Sequence, residues 1–262
     1  MRISKDLGQI FLKNKKYLER IVSLLEIEGE DVLEIGAGRG ELTQYLVSRV
    51  KSLICVEIDS RLVQILKEKF SSCSSLKIIC GDILKLNLES LGKRLVVVGN
   101  IPFQISSPLL FYLVKYRKFI KKVFLTFQKE FAQKLVALPK SKNYSFLSCY
   151  IQYYAQVKIL LTIPCKNFSP PPKVDSCLVK IDFFNNPPYK VKDEKFLFQL
   201  IKEAFSQRRK KLINALDKYK SDLIFLLEKL KIDKDIRVDV LSLEKYCQIA
   251  NFLKQVSLNS DI

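Results

Sequence analysis

A doubly wound α/β fold with a mostly parallel sheet, followed by a small all-α region, is predicted for this 262-residue chain. Three observations predict it. Short β-branched apolar runs alternate with amphipathic stretches at helical spacing through the first half of the chain. The glycine segment Gly36-Ala37-Gly38-Arg39-Gly40 directly follows the first of those runs, at the strand end where open sheets bind ligands. Beyond the turn-rich stretch 185–193 only helical spacing remains.

Each element follows from local pattern. Tyr17, Leu18, Ile21, Val22, Leu24 and Leu25 recur at helical spacing over 13–27, and Gly29 stands just beyond as a stop. Asp31 to Ile35 is the first strand. Leu42, Tyr45, Leu46 and Val50 mark a helix, and Leu53 to Val56 the second strand. Leu62 to Phe70 form the next helix, and Leu76 to Cys80 the third strand. Leu95 to Val98 is a fourth, fully apolar strand, and Ser107 before Pro108 reads as the cap of the helix after it. Val123 to Phe127 is a fifth strand, and Lys129 to Leu138 a helix. Residues 148–163 and 176–183 read as two further strands, paired antiparallel at the sheet edge. Phe168-Ser-Pro-Pro-Pro-Lys-Val-Asp-Ser176 between them is stiff and polyproline-like. Helices are expected over Phe196 to Leu216, Leu223 to Leu230 and Leu243 to Leu253. The domain boundary is therefore expected near 187, giving units 1–186 and 187–262.

Bulk properties exclude several function classes. A hydrophobic content of 48% supports a sizeable core, with no apolar run of about 18 residues to span a bilayer. The first residues lack the apolar core of a secretory signal. Seven cysteines are scattered with no C-x-x-C pair, which reads as reduced, mostly buried thiols in a cytoplasmic protein without a metal site. Histidine is absent, so no Ser-His-Asp hydrolysis, no His-liganded zinc and no imidazole base is available. The net charge is +18. It concentrates at 115–142, with nine Lys/Arg against one Glu, and at 206–220, with six against one. Such surpluses point to a polyanion, most simply nucleic acid. Arg208-Arg209-Lys210-Lys211 is the densest candidate RNA contact.

The chemistry gathers at four strand ends. Gly36 and Gly38 let backbone approach a ligand closely. The G-x-G-x-G spacing differs from the dinucleotide pattern, so a pyrophosphate is not the expected guest. Glu57, with Ile58 beside it, ends the second strand, where a carboxylate accepts ribose hydroxyls. Asp82 and Ile83 end the third, suited to accept from an adenine amine and cover its ring. Asn100-Ile101-Pro102-Phe103 ends the fourth. Asn100 and the Pro102 carbonyl offer two acceptors, and Phe103 a flat face, for a planar amine.

With these residues in hand, the chain resembles the ribosomal RNA adenine N6-dimethyltransferases. The resemblance is carried by Gly8-Gln-Ile-Phe-Leu12, Glu34 to Gly40, Glu57-Ile-Asp59, Gly81-Asp82, Asn100 to Phe103 and Phe168 to Ser176. Gln128 to Leu135, Ala204 to Leu212 and Val240 to Glu244 resemble the KsgA-type, small-subunit branch rather than the Erm-type branch of macrolide resistance. The resemblance implies a Rossmann-like class I S-adenosylmethionine-dependent methyltransferase domain with a small helical C-terminal rRNA-binding domain. It implies S-adenosylmethionine held by Ile10, Leu12, Gly36, Gly38, Glu57, Ile58, Asp82, Ile83 and Asn100. It implies dimethylation of two adjacent adenosines in the 3′-terminal hairpin loop of 16S rRNA, within a small ribosomal subunit or its precursor. Phe168 would close on the target base opposite Phe103, and a monomer is expected. Two departures stand out: the family usually has Asn at Ile10, and its small-subunit branch usually has Leu-Pro-Tyr at Ile101-Pro102-Phe103. The alternatives are the Erm-type 23S rRNA enzyme, a non-catalytic assembly or transcription factor on the same fold, and methylation of a protein glutamine amide.

Overall fold

The computed structural model describes residues 10–92 and 94–260, with side chains of 257–260 excepted. Gly8 and Gln9 of the N-terminal motif lie outside the described residues. Among the described residues, nine strands and ten α-helices follow in order: β1 (Phe11–Leu12), α1 (Lys15–Val22), β2 (Asp31–Ile35), α2 (Thr43–Leu46), β3 (Ser52–Glu57), α3 (Ser60–Lys69), β4 (Leu76–Cys80), β5 (Leu95–Asn100), α4 (Ser106–Lys115), β6 (Ile120–Gln128), α5 (Lys129–Leu135), α6 (Phe146–Tyr154), β7 (Ala155–Ile163), β8 (Phe168–Ser169), β9 (Ser176–Phe183), α7 (Glu194–Ser206), α8 (Leu212–Ala215), α9 (Lys220–Lys229) and α10 (Leu243–Ser260).

Seven strands form one sheet in the order β4-β3-β2-β5-β6-β9-β7. The β4 to β6 ladders are parallel, and β9 runs antiparallel to β6. The order reverses between β2 and β5, so their carboxyl ends flank a crevice where neither crossover connection covers the sheet. The central strands read as continuous apolar runs because both faces are covered: Val96, Val97 and Val98 in β5, and Val123, Phe124 and Leu125 in β6, are all fully buried. Among the described residues, no helix is long and apolar enough to cross a membrane.

A short antiparallel pair stands apart from this sheet. Phe11 pairs with Ser169 and Leu12 with Phe168. The Lys13 amide donates to the Asn167 carbonyl at 3.0 Å, and Asn14 Nδ2 to Asn167 Oδ1 at 2.7 Å. The proline-rich stretch is thus tied to the first described strand, and Asp175 anchors its far end by accepting from the Cys165 and Lys129 amides.

Three expectations are corrected. Residues 146–154 are helix α6, not strand. Their aromatic and β-branched content favours a strand, but Ser145 and Ser148 form a capping box, and Tyr150 and Tyr154 pack on Phe198 with centroids 4.8 and 5.6 Å apart. Tertiary packing overrides the propensity. Contacts within the chain accordingly group Gln133–Ala155 with the residues from Asn186 onward, and the residues up to Ala132 with Gln156–Asn185, so a single cut near 187 does not describe the two units. Finally, α4 begins at Ser106, after a 3₁₀ turn at Phe103–Ile105, and Ser107 is inside the helix rather than its cap.

All seven cysteines are unpaired thiols, four of them buried.

Candidate active site at the strand carboxyl ends

Lateral hydrogen bonds set the strand ends level. The Gly36 amide donates to the Val56 carbonyl at 2.8 Å, and the Gly81 amide to the Glu57 carbonyl at 2.9 Å. The loop after β2 turns through Gly36, Gly38 and Gly40, all in the left-handed region with φ of 71°, 61° and 80°. Its turn brings the Gly38 amide to Glu57 Oε2 at 2.9 Å, while the Asp59 amide donates to Oε1 at 3.0 Å. Glu57 is only 5% exposed, and burial raises its pKa against those backbone donors. Each of its oxygens keeps a further lone pair, so hydroxyl donors from the cleft would offset that desolvation. Asp82 caps the turn after β4 by accepting from the Leu84 amide through Oδ1, and Ile83 is buried beside it. Ile58 is 51% exposed, an apolar surface left open on the rim.

One cleft is lined by Ile10, Leu12, Gly36, Gly38, Glu57, Ile58, Asp82, Ile83, Asn100 and Pro102. These ten residues, named from the sequence, are thus brought together, all inside the first unit. The arrangement fits a nucleoside: a glycine cradle, a buried acceptor carboxylate, and a second carboxylate next to an apolar cover.

The Asn100 side chain is held at both ends. Its Nδ2 donates to the Ile10 carbonyl at 3.0 Å, and its Oδ1 accepts from the Thr126 hydroxyl at 2.5 Å. The Pro102 carbonyl accepts a long 3.2 Å bond from the Ile105 amide, leaving a lone pair.

Other predicted residues lie elsewhere. Phe103 is half-buried and starts the 3₁₀ turn rather than lining the cleft. Phe168 is 4% exposed and packs in the core with Leu12, Ala37 and Ile163. Its strand is paired to β1, Leu12 standing opposite it in the register. The basic run follows α7 as a turn, not the middle of a helix. Arg208 donates to the Ser141 carbonyl at 3.0 Å and pairs with Asp239; Lys211 pairs with Asp235 at 2.8 Å. Among the described residues, no acidic partner engages Arg209 or Lys210, and both are exposed.

Two cleft residues were missed. Thr126 is a lone hydroxyl in the apolar run Val123 to Phe127, a signal visible in the sequence. Glu34 is a carboxylate in a buried strand just before the glycine loop. It is 2% exposed and accepts from Thr43 at 2.7 Å and Cys55 at 3.2 Å. Burial pushes its pKa up to about 7 from 4.5. The folded chain then binds a proton that the unfolded chain has lost between those values, so this group's contribution falls as pH rises through that window and is level above it. Glu34→Gln has no such proton. Relative to wild type it is expected to gain about 2–3 kcal/mol between pH 4.5 and 8, at roughly 1.4 kcal/mol per pH unit. Urea unfolding at both pH values reads the difference, and parallel pH profiles would refute the shifted carboxyl.

The sheet order, glycine loop and switch-point cleft define a Rossmann-like methyltransferase. The model of the family described as ribosomal RNA adenine dimethylase matches residues 1–255, and the chain belongs to that family. It is similar to proteins named ribosomal RNA small subunit methyltransferase A. That of Desulforapulum autotrophicum is 39% identical, across 95% of this chain and 91% of the relative. That of Pseudomonas aeruginosa is 36% identical, across 98% and 97%. Among solved structures, a dimethyladenosine transferase from Plasmodium falciparum superposes with a TM-score of 0.77 at 28% identity, over 94% of this chain and 98% of that one. The 23S rRNA methyltransferase ErmE shares the fold, with a TM-score of 0.73 at 22% identity, over 94% and 100%. The chain is therefore an rRNA methyltransferase, and its family and fold imply S-adenosylmethionine as methyl donor.

Proposed function

We propose that this enzyme dimethylates N6 of two adjacent adenosines in the 3′-terminal hairpin loop of 16S rRNA, within a small ribosomal subunit or its precursor in the cytoplasm. The observation that carries the reading is the order of groups around one cleft: Gly36 and Gly38, then Glu57, then Asp82, then Asn100 and Pro102. Relatives of 36% identity and more over nearly the whole chain, named for the small subunit, support that target over the large-subunit alternative.

Bound S-adenosylmethionine supplies a methyl group already activated on a sulfonium. Glu57 accepts its ribose hydroxyls, Asp82 its adenine amine, and Ile58 and Ile83 cover the ring. Asn100 Oδ1 and the Pro102 carbonyl accept the two N–H bonds of the target amine. That contact pyramidalises a nitrogen whose lone pair is otherwise delocalised into the base, and aims it at the methyl. The target base must leave its RNA stack to reach the cleft; Phe103, on the turn directly after Pro102, would supply a stacking face only once it turns toward that base. Positioning is the protein's main contribution. The helical unit grips rRNA phosphates. Of the basic run, Arg209 and Lys210 make those contacts, while Arg208 and Lys211 tie the turn to Ser141, Asp239 and Asp235.

The decisive experiment is mass spectrometry of 16S and 23S rRNA from a deletion strain, with and without this gene. Restoration of dimethyladenosine in 16S alone is the expected result; restoration in 23S alone would overturn it. Separately, Arg209→Glu with Lys210→Glu is expected to weaken RNA binding and to reduce the slope of log K against log salt by about two, close to one per lost phosphate contact. Cofactor binding is expected to be unchanged. An unaltered slope would make the pair a solvated surface only.

A further inference from the structure

We infer that Thr126 is a positioning residue for methyl transfer, fixing the side-chain amide of Asn100 so that one Oδ1 lone pair faces the substrate amine. This rests on the reading of Asn100 as acceptor for that amine. Thr126 lies on β6 directly opposite Asn100 on β5 in the parallel ladder, and both residues line the cleft. The direction of every bond is determined. The Ile10 carbonyl can only accept, so the amide must present Nδ2 to it and Oδ1 to Thr126. The Thr126 hydroxyl must then donate.

Packing gives that hydroxyl no other use. Thr126 is 2% exposed in a strand whose neighbours Leu125 and Phe127 are fully buried, and a valine would fill nearly the same space. Its one described hydrogen-bond partner is Asn100. A carbonyl oxygen has two lone pairs. With one taken by Thr126, the remaining one has a set direction, and rotation about the terminal torsion of Asn100 is stopped at both ends. The site therefore arrives at the amine already oriented, which is where a small misplacement costs most.

Two substitutions separate hydroxyl from shape. Thr126→Val keeps the shape and removes the donor; Thr126→Ser keeps the donor and removes a methyl. Single-turnover methylation of small subunits from the deletion strain, at saturating cofactor, is expected to be about tenfold or more slower for Thr126→Val. Its affinities for subunit and cofactor should lie within about twofold of wild type, since no binding contact is lost. Thr126→Ser should retain a rate near wild type. The reverse order, Val active and Ser impaired, would mean that Thr126 matters for packing alone and would overturn the inference. A second readout is independent of the substrate. In the nitrogen-15 NMR spectrum of the whole protein, the side-chain NH₂ of Asn100 should give one resolved, slowly exchanging pair that shifts and broadens in Thr126→Val. An unchanged pair would likewise overturn it. A wild-type enzyme that leaves 16S rRNA unmodified would instead refute the substrate reading, with the NMR comparison still deciding the role of Thr126.

Discussion

Asn100→Ala is expected to slow single-turnover methyl transfer about a hundredfold or more, the range seen when one preorganised hydrogen-bonding group is removed from a reacting centre. RNA affinity should fall far less, because the bond to the amine is strongest when the nitrogen is pyramidal, which is the geometry of the transition state. Asn100→Asp is expected to do no better than Ala, although it is nearly isosteric. The atom 3.0 Å from the Ile10 carbonyl would become an acceptor facing an acceptor, in a cleft already holding Glu34, Glu41, Glu57 and Asp82. A normal rate in Asn100→Ala, measured on purified small subunits, would refute the amine clamp.

Gly99→Ala is the second large effect, and it acts on stability. Gly99 sits opposite Ile35 in the β2–β5 ladder. A methyl group there would lie 2.5 Å from the Ile35 carbonyl oxygen and 3.2 Å from a Leu125 methyl. The first neighbour is backbone in the middle of the sheet, so the ends of β2 and β5 must part. A loss of about 3 kcal/mol is expected, at the upper end for overpacking a core, together with loss of cofactor affinity as Gly36 and Asn100 move apart. Gly81→Ala is the control. Its methyl would meet only a Leu86 side chain at 4.0 Å, and unfolding midpoints in urea should differ little from wild type. Equal stabilities for the two variants would refute the steric account.

Local pattern made the alternating strands and the four strand ends that line the cleft readable, because a buried parallel strand writes itself as an apolar run and ends at a turn of glycine or acid. What stayed hidden depended on distant partners. Residues 146–154 look like a strand until Phe198 arrives to pack on Tyr150 and Tyr154. Arg208 and Lys211 look as free as Arg209 and Lys210 until Asp239 and Asp235 are placed beside them. Phe168 looks exposed beside its prolines until the fold buries it in the cluster with Leu12 and Ile163. Thr126 is plain in the sequence, but its role appears only once strand register sets it across from Asn100.

The Ile10 carbonyl that receives the Asn100 amide gives position 10 an unusual tolerance. Every amino acid carries a main-chain oxygen, so the identity of the side chain there can drift without disturbing the Asn100 amide. An isoleucine in place of the family's usual asparagine leaves that acceptor intact. Length is a different matter: inserting or deleting one residue between Ile10 and Leu12 would shift the carbonyl out of reach and slide β1 along β8 in the same step. The site is thus robust to spelling and fragile to spacing.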